Sequence, residues 1–77
     1  MILKFRKKHG LVKITNSRTG KPVMEKNYLS GKLDGDFKYF WDNGNLRVSG
    51  SFKNQKRVGS WKNYDKKGAI IFEEKFD

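Results

Sequence analysis

Tyr39 and Trp41 flank Phe40 directly after Lys38, and Arg47 and Lys62 bring further cations close to rings along the chain. Exposed rings interleaved with cations suit stacking against single-stranded nucleic acid, or a hot spot for another protein. In so small a chain the same rings, with Phe37, Trp61 and Tyr64, also serve to cover a sheet face, because aromatics bury the most area per residue. Two basic groups stand beside them. Lys4, Arg6, Lys7 and Lys8 surround Phe5 in a run that alternates too loosely for an amphipathic anchor and reads as a charged edge strand. The segment from Lys53 to Arg57, which includes Lys56, and the pair Lys66-Lys67 recur at hairpin ends, where they form rims that attract phosphates without reading sequence.

Catalytic chemistry finds little to work with. His9 is the only histidine and sits in the basic stretch Lys7-Lys8-His9-Gly10, where a solvated role is the ordinary one. Asp34 and Asp36 flank Gly35 as turn-forming residues that offset Lys32 and Lys38. Ser30, Ser49, Ser51 and Ser60 have no second histidine to activate them. With no cysteine and no close-spaced run of acids, neither a metal nor a cofactor is expected, and the expectation is a protein that is not an enzyme and has no small-molecule substrate.

The elements that must position these residues are written in a self-match at a shift of 24. Tyr28 falls on Phe52 and Phe52 on Phe76, Gly35 on Gly59, Phe37 on Trp61, Lys38 on Lys62, Phe40 on Tyr64 and Gly44 on Gly68. A fixed period of this length signals a repeat architecture. The units are 28–51 and 52–77, preceded by a degenerate unit over 10–27 and a basic strand over 1–9, all in one domain. The degenerate unit aligns Gly20 with Gly44 only if one extra residue precedes Gly20, an insertion that a hairpin turn tolerates.

Each unit reads as a β-hairpin. Asn43-Gly44 supplies the positive φ angles of a two-residue primed turn, and Gly68 and Gly20 occupy the matching places. After the turn, Leu46, Val48, Gly50 and Phe52 alternate with Arg47, Ser49 and Ser51, the pattern of a strand with one buried face. Glu74 interrupts the apolar side of the last strand, which is therefore only half covered. Before the turn both faces carry rings, so either a bulge re-aims Phe40 or Phe40 and Tyr64 pack on a second side. Tyr39 and Trp41 are free for a partner if they face away from Leu46 and Val48. No stretch shows helical periodicity. Runs bounded by turns place strands at 2–7, 10–16, 22–28, 35–42, 45–52, 58–64 and 69–76, an all-β antiparallel meander of about seven strands.

Composition agrees with a thin, well-patterned domain. Only 35% of the 77 residues are apolar, but 14% are aromatic and recur at fixed offsets from glycine, unlike a disordered segment. The net charge is +10, with +8 carried by residues 1–33 and +2 by 34–77, a bias that favours phosphate, anionic lipid or an acidic protein. The start MILKFRKKHG is too short and too charged for a signal segment or membrane span, and the lack of cysteine suits a cytoplasmic setting.

The repeat resembles the MORN motif, in the shorter variant found in small bacterial antitoxin-like proteins. The residues that carry the likeness are Tyr28, Gly31, Gly35-Asp36-Phe37, Phe40, Asn43-Gly44-Asn45-Leu46 and Phe52, then Gly59-Ser60-Trp61, Tyr64, Gly68-Ala69-Ile70 and Phe76. It covers 28–77 well and 10–27 loosely, and departs at Gln55, where the preceding unit has Gly31, and at Val58, where it has Asp34. The resemblance implies successive hairpins with a ladder of rings. It is similar to scaffolds, membrane-associated modules and antitoxins alike, so it implies an architecture more than an activity.

The expectation is a protein-binding module of antitoxin-like or inhibitor type that occludes an acidic surface of a larger protein. Its contact residues are expected among Lys4, Arg6, Lys7, Lys8, Lys38, Tyr39, Trp41, Arg47, Lys56, Arg57 and Lys62. The alternatives are nucleic acid or an anionic membrane surface bound through the basic N-terminal third, and edge-to-edge pairing with a second copy. The partner-choosing chemistry is expected where the self-match fails, at Lys4 to His9, at Leu33-Asp34 against Arg57-Val58, and at Tyr39 and Trp41 against Asn63 and Asp65.

Overall fold

The computed structural model describes residues 9–77. The strand expected over 2–7, with Lys4, Arg6, Lys7 and Lys8, lies outside the described residues. Within them are six strands, β1 (Gly10–Thr15), β2 (Pro22–Leu29), β3 (Lys32–Phe40), β4 (Leu46–Lys53), β5 (Lys56–Tyr64) and β6 (Ile70–Phe76). They form one sheet in chain order with every neighbouring pair antiparallel, the expected meander of successive hairpins. The fold measures 53 × 38 × 10 Å. Since packed layers lie about 10 Å apart, a slab this thin is a single layer with both faces toward solvent.

The two ends of the sheet use different turns. At one end Trp41 N–H donates to Asn45 O at 2.8 Å and Gly44 N–H to Trp41 O at 3.0 Å, closing a three-residue loop with Gly44 at φ 90°. Asp65, Ala69 and Gly68 repeat this geometry at 2.8 and 3.1 Å. The two-residue primed turn expected at Asn43-Gly44 is thus corrected. A type I turn followed by one left-handed glycine needs only one positive φ, and Asn43 does not have one. The first loop runs from Asn16 to Lys21, closed by Asn16 N–H on Lys21 O at 2.8 Å, and is one residue longer, as the alignment required.

Primed turns occur at the opposite end instead. Ser30 and Gly31 have φ of 51° and 82°, and Asn54 and Gln55 have 52° and 69°. This is why β3 and β5 start at Lys32 and Lys56, earlier than the expected 35 and 58. Gln55 N–H donates to Leu33 O at 2.8 Å and Asn54 N–H to the Asp34 carboxylate at 3.1 Å, which holds the strained turn against β3. A left-handed residue with a Cβ costs about 1–2 kcal/mol, against about 0.5–1 kcal/mol for the extra unfolded-state freedom of glycine. Gln55→Gly should therefore stabilise the protein by about 0.5–1 kcal/mol, read as a rise of a few degrees in Tm; an unchanged or lower Tm would show that the turn is unstrained.

Three register shifts recur with the repeat. They lie at Ile14/Thr15, Tyr39/Phe40 and Asn63/Tyr64, and each leaves one residue of the following strand without an opposite number: Val23, Arg47 and Ile71. A bulge at Arg47 corrects the simple alternation. Arg47 does not share a side with Ser49 and Ser51 but lies over Tyr39, which is directly opposite Val48. Phe40 is the residue at the shift, and the Tyr64 hydroxyl lies 3.1 Å from Ser49 Oγ, so rings do reach the polar face as well.

Among the described residues the core is Trp61 alone, 7% exposed. Its ring lies across Gly50 and meets Phe37, Phe52 and Phe76 at centroid distances of 5.5, 5.0 and 6.4 Å. Its Nε1–H donates to Ser51 O at 3.1 Å, and the Arg57 guanidinium lies 5.6 Å from its ring and 4.7 Å from that of Phe76. β6 is thinly covered, with Ile70, Ile71 and Phe72 each more than half exposed, in keeping with Glu74 on its apolar side.

Candidate functional site

At the end of the sheet with the longer loops, the tips of the three hairpins converge on a cleft of about 400 Å³. The β1–β2 hairpin contributes Lys21 and Val23, β3 and its loop contribute Tyr39 and Trp41, β4 contributes Arg47, and the β5–β6 loop contributes Lys66. The bulge carries Arg47 to within 5.1 Å of the Tyr39 ring centroid and 4.3 Å of that of Trp41, and the Lys66 ammonium lies 5.5 Å from Trp41. Cations on ring faces are favourable by about 0.5–1 kcal/mol at exposed sites.

Side-chain hydrogen bonds to backbone carbonyls of the next unit fix this group. Trp41 Nε1–H donates to Tyr64 O at 3.0 Å, and the side-chain amides of Asn43 and Asn45 donate to Lys66 O at 2.9 and 2.7 Å. The half-buried indole is thus pinned to the following repeat, whereas the Arg47 side chain is exposed. Among the described residues three cations face the cleft and Asp42 is the only acid lining it, so its field favours an anion.

The expected contact residues that fall within the described part divide into three places. Tyr39, Trp41 and Arg47 meet at the cleft. Lys38 and Lys62 lie on the polar face with Ser49 between them, away from the stack of Arg47 on Tyr39. Lys56 and Arg57 lie near the opposite end, beside the Asn54-Gln55 turn, with Arg57 stacked on the core rings. Tyr39 shares a face with Val48, contrary to the condition set for a free platform, and the Arg47 guanidinium lies over its ring. Sequence reasoning named Lys66 only as part of a rim and missed Lys21. The shift of 24 that sets Lys21 level with Asn45, beside the loop of the next unit, was the available signal.

Other chemistry singled out in the sequence is engaged structurally. Asp34 accepts from Asn54 N–H at 3.1 Å, Asp36 from Ser51 Oγ at 3.4 Å, and His9 Nδ1 lies 3.4 Å from Ser30 N. Among the described residues no three His, Cys, Asp or Glu side chains gather to hold a metal ion, and no helix is long and apolar enough to cross a membrane.

Fold and cleft together define a β-repeat module of successive hairpins with a cationic cleft at one end of the sheet. Residues 33–54, the stretch from β3 through β4 to Asn54, match the family model described as MORN repeat variant. No curated protein and no solved structure matches the chain.

Proposed function

We propose that this chain is a non-enzymatic protein-binding module that occludes an acidic surface of a larger protein, in the manner of a small inhibitor or antitoxin, and that it acts in the cytosol. The observation that carries this reading is the stack of Arg47 on Tyr39 and Trp41 at the mouth of a cationic cleft. Tyr, Trp and Arg are the residue types most enriched at interface hot spots, and here a backbone hydrogen bond already orders the indole before any partner arrives. The neighbouring unit has Asn63, Asp65 and Ile71 at the corresponding places, so the Arg47 stack belongs to one repeat rather than to the architecture.

Affinity capture from the native host, followed by titration of the recovered protein, tests this. Arg47→Ala should weaken the complex about thirtyfold, roughly 2 kcal/mol, while leaving Tm within a few degrees. Equal binding by the variant, or recovery of no stoichiometric protein partner, overturns the reading. The +8 charge of residues 1–33 supports a second reading, binding of nucleic acid or anionic lipid. Contact with about six duplex phosphates would give a slope near −5 in log K against log salt, so salt dependence in a nuclease-treated parallel sample separates the two.

A further inference from the structure

The polar face carries a row of side chains that crosses all six strands. Lys13 is opposite Glu25, Glu25 opposite Lys38, Lys38 opposite Ser49, Ser49 opposite Lys62, and Lys62 opposite Glu73. Directly opposed residues of antiparallel strands share a face with Cβ atoms about 5 Å apart, so this is one continuous line of neighbours. Charges alternate along it except at Ser49, where a lysine stands on each side and the place of an acid is taken by a hydroxyl. The Ser49 hydroxyl lies 3.1 Å from that of Tyr64, which gives the gap a second hydroxyl. A shallow cavity of about 280 Å³ opens there, lined by Asp36, Lys38, Ser49, Ser51, Ser60 and Lys62. The acids nearby are directed elsewhere: Glu73 accepts from Ser60 Oγ at 2.6 Å, and Asp36 sits one row away, opposite Ser51.

We infer that the Lys38–Ser49–Lys62 gap is a docking point for a single carboxylate, an Asp or Glu side chain of an acidic polypeptide laid across the polar face. This rests on the protein-binding reading and adds a contact on the face opposite the Arg47 stack. The charge of the row selects the ligand. Three lysines against two glutamates leave +1, which one carboxylate neutralises, whereas a phosphate group carries about −1.5 to −2 and overshoots. The geometry selects it too, because the other position flanked by lysines, Glu25 between Lys13 and Lys38, is filled by a glutamate of the chain itself.

The test fills the gap from within and then from outside. Ser49→Glu should melt about 2–8 °C above its neutral counterpart Ser49→Gln, since each of two cross-strand charge pairs is worth a few tenths to 1 kcal/mol, and Ser49→Lys should melt below it. Comparing Glu with Gln removes the effect of side-chain size. In an NMR titration of the wild-type chain, hexaglutamate should shift the amides of Lys38, Ser49 and Lys62, and should do so equally in Arg47→Ala but not in Ser49→Glu. Equal melting of the Glu and Gln variants, or hexaglutamate shifts confined to the Arg47 cleft, overturns the inference while leaving the cleft reading intact. Shifts of the row by inorganic phosphate with none by hexaglutamate overturn it in favour of a phosphate ligand.

Discussion

Replacing Trp61 with alanine should remove about 4 kcal/mol of folding stability, the middle of the range for truncating a buried aromatic. A domain of this size has roughly 4–12 kcal/mol in total, so the variant sits at or near the edge of unfolding, with Tm lowered by at least about 15 °C. The loss is large because a one-layer sheet has no second layer to close the space. Trp61 supplies the roof itself: its ring covers Gly50, touches three phenylalanines at 5.0–6.4 Å and carries the Arg57 guanidinium on its outer side. Its indole N–H also satisfies Ser51 O, so Trp61→Phe, which keeps a ring and loses that donor, should cost only about 1–2 kcal/mol. Urea melts followed by circular dichroism check both values, with Trp41 left as the fluorescent reporter. A loss below about 1.5 kcal/mol for the alanine variant would mean that burial of one ring does not hold the meander together.

How far this roof was legible depends on which physical signal each part left in the sequence. The ladder of Phe37, Phe52, Trp61 and Phe76 was visible because packing demands rings at the same phase of every unit, and the shift of 24 aligns Phe37 with Trp61 and Phe52 with Phe76. The longer first loop was visible because Gly20 had to be reached by one extra residue. The bulges were legible only in part: a bulge beside Phe40 was one of two readings, but which residue of the following strand it leaves unpaired was not legible. Alternation is read on the assumption of unbroken register, and a one-residue slip reverses every later side chain. The bulged position is Val23, then Arg47, then Ile71, with no shared chemistry to mark it. Arg47 was therefore named as a contact residue while its place over Tyr39 and Trp41 could not be foreseen.

Turn type was misread for a related reason. Asn-Gly is the strongest dipeptide signal for a primed turn, yet Asn43 uses its side chain otherwise: its carbonyl accepts from Asn45 N–H at 2.8 Å and its amide reaches Lys66 O. Those bonds favour a three-residue loop that ties one unit to the next. The primed turn falls instead on Asn54-Gln55, where the strain at Gln55 is offset by bonds to Leu33 and Asp34 that local sequence does not reveal. The charge row through Ser49 belongs to the same class of hidden feature, since its members are brought together by register alone.

Gly50→Ala should destabilise the protein by about 3 kcal/mol, although a strand ordinarily gains 0.5–1 kcal/mol when alanine replaces glycine. The two effects oppose each other, and distance decides which wins. A Cβ built on Gly50 would lie 2.2 Å from Trp61 Cδ2 and 2.3 Å from Cε2, against the 3.5–4.0 Å at which carbon atoms attract. The obstacle is the fused edge of a rigid ring, so no rotation of a flexible tip relieves it. Trp61 must lift, and lifting it separates the ring from Phe37 and Phe52 and draws Nε1 away from Ser51 O. The cause can be isolated in a Trp61→Leu background, where the ring edge is gone. There the same Gly50→Ala change should turn neutral or stabilising by a few tenths of a kcal/mol, giving a coupling of about 3 kcal/mol between the two positions, at the upper end for residues in contact. Melts in a fixed concentration of sucrose keep the weakest variant folded, because an excluded osmolyte favours the buried state. If Gly50→Ala costs as much beside leucine as beside tryptophan, its effect comes from the backbone, and the ring across Gly50 is not what requires a glycine there.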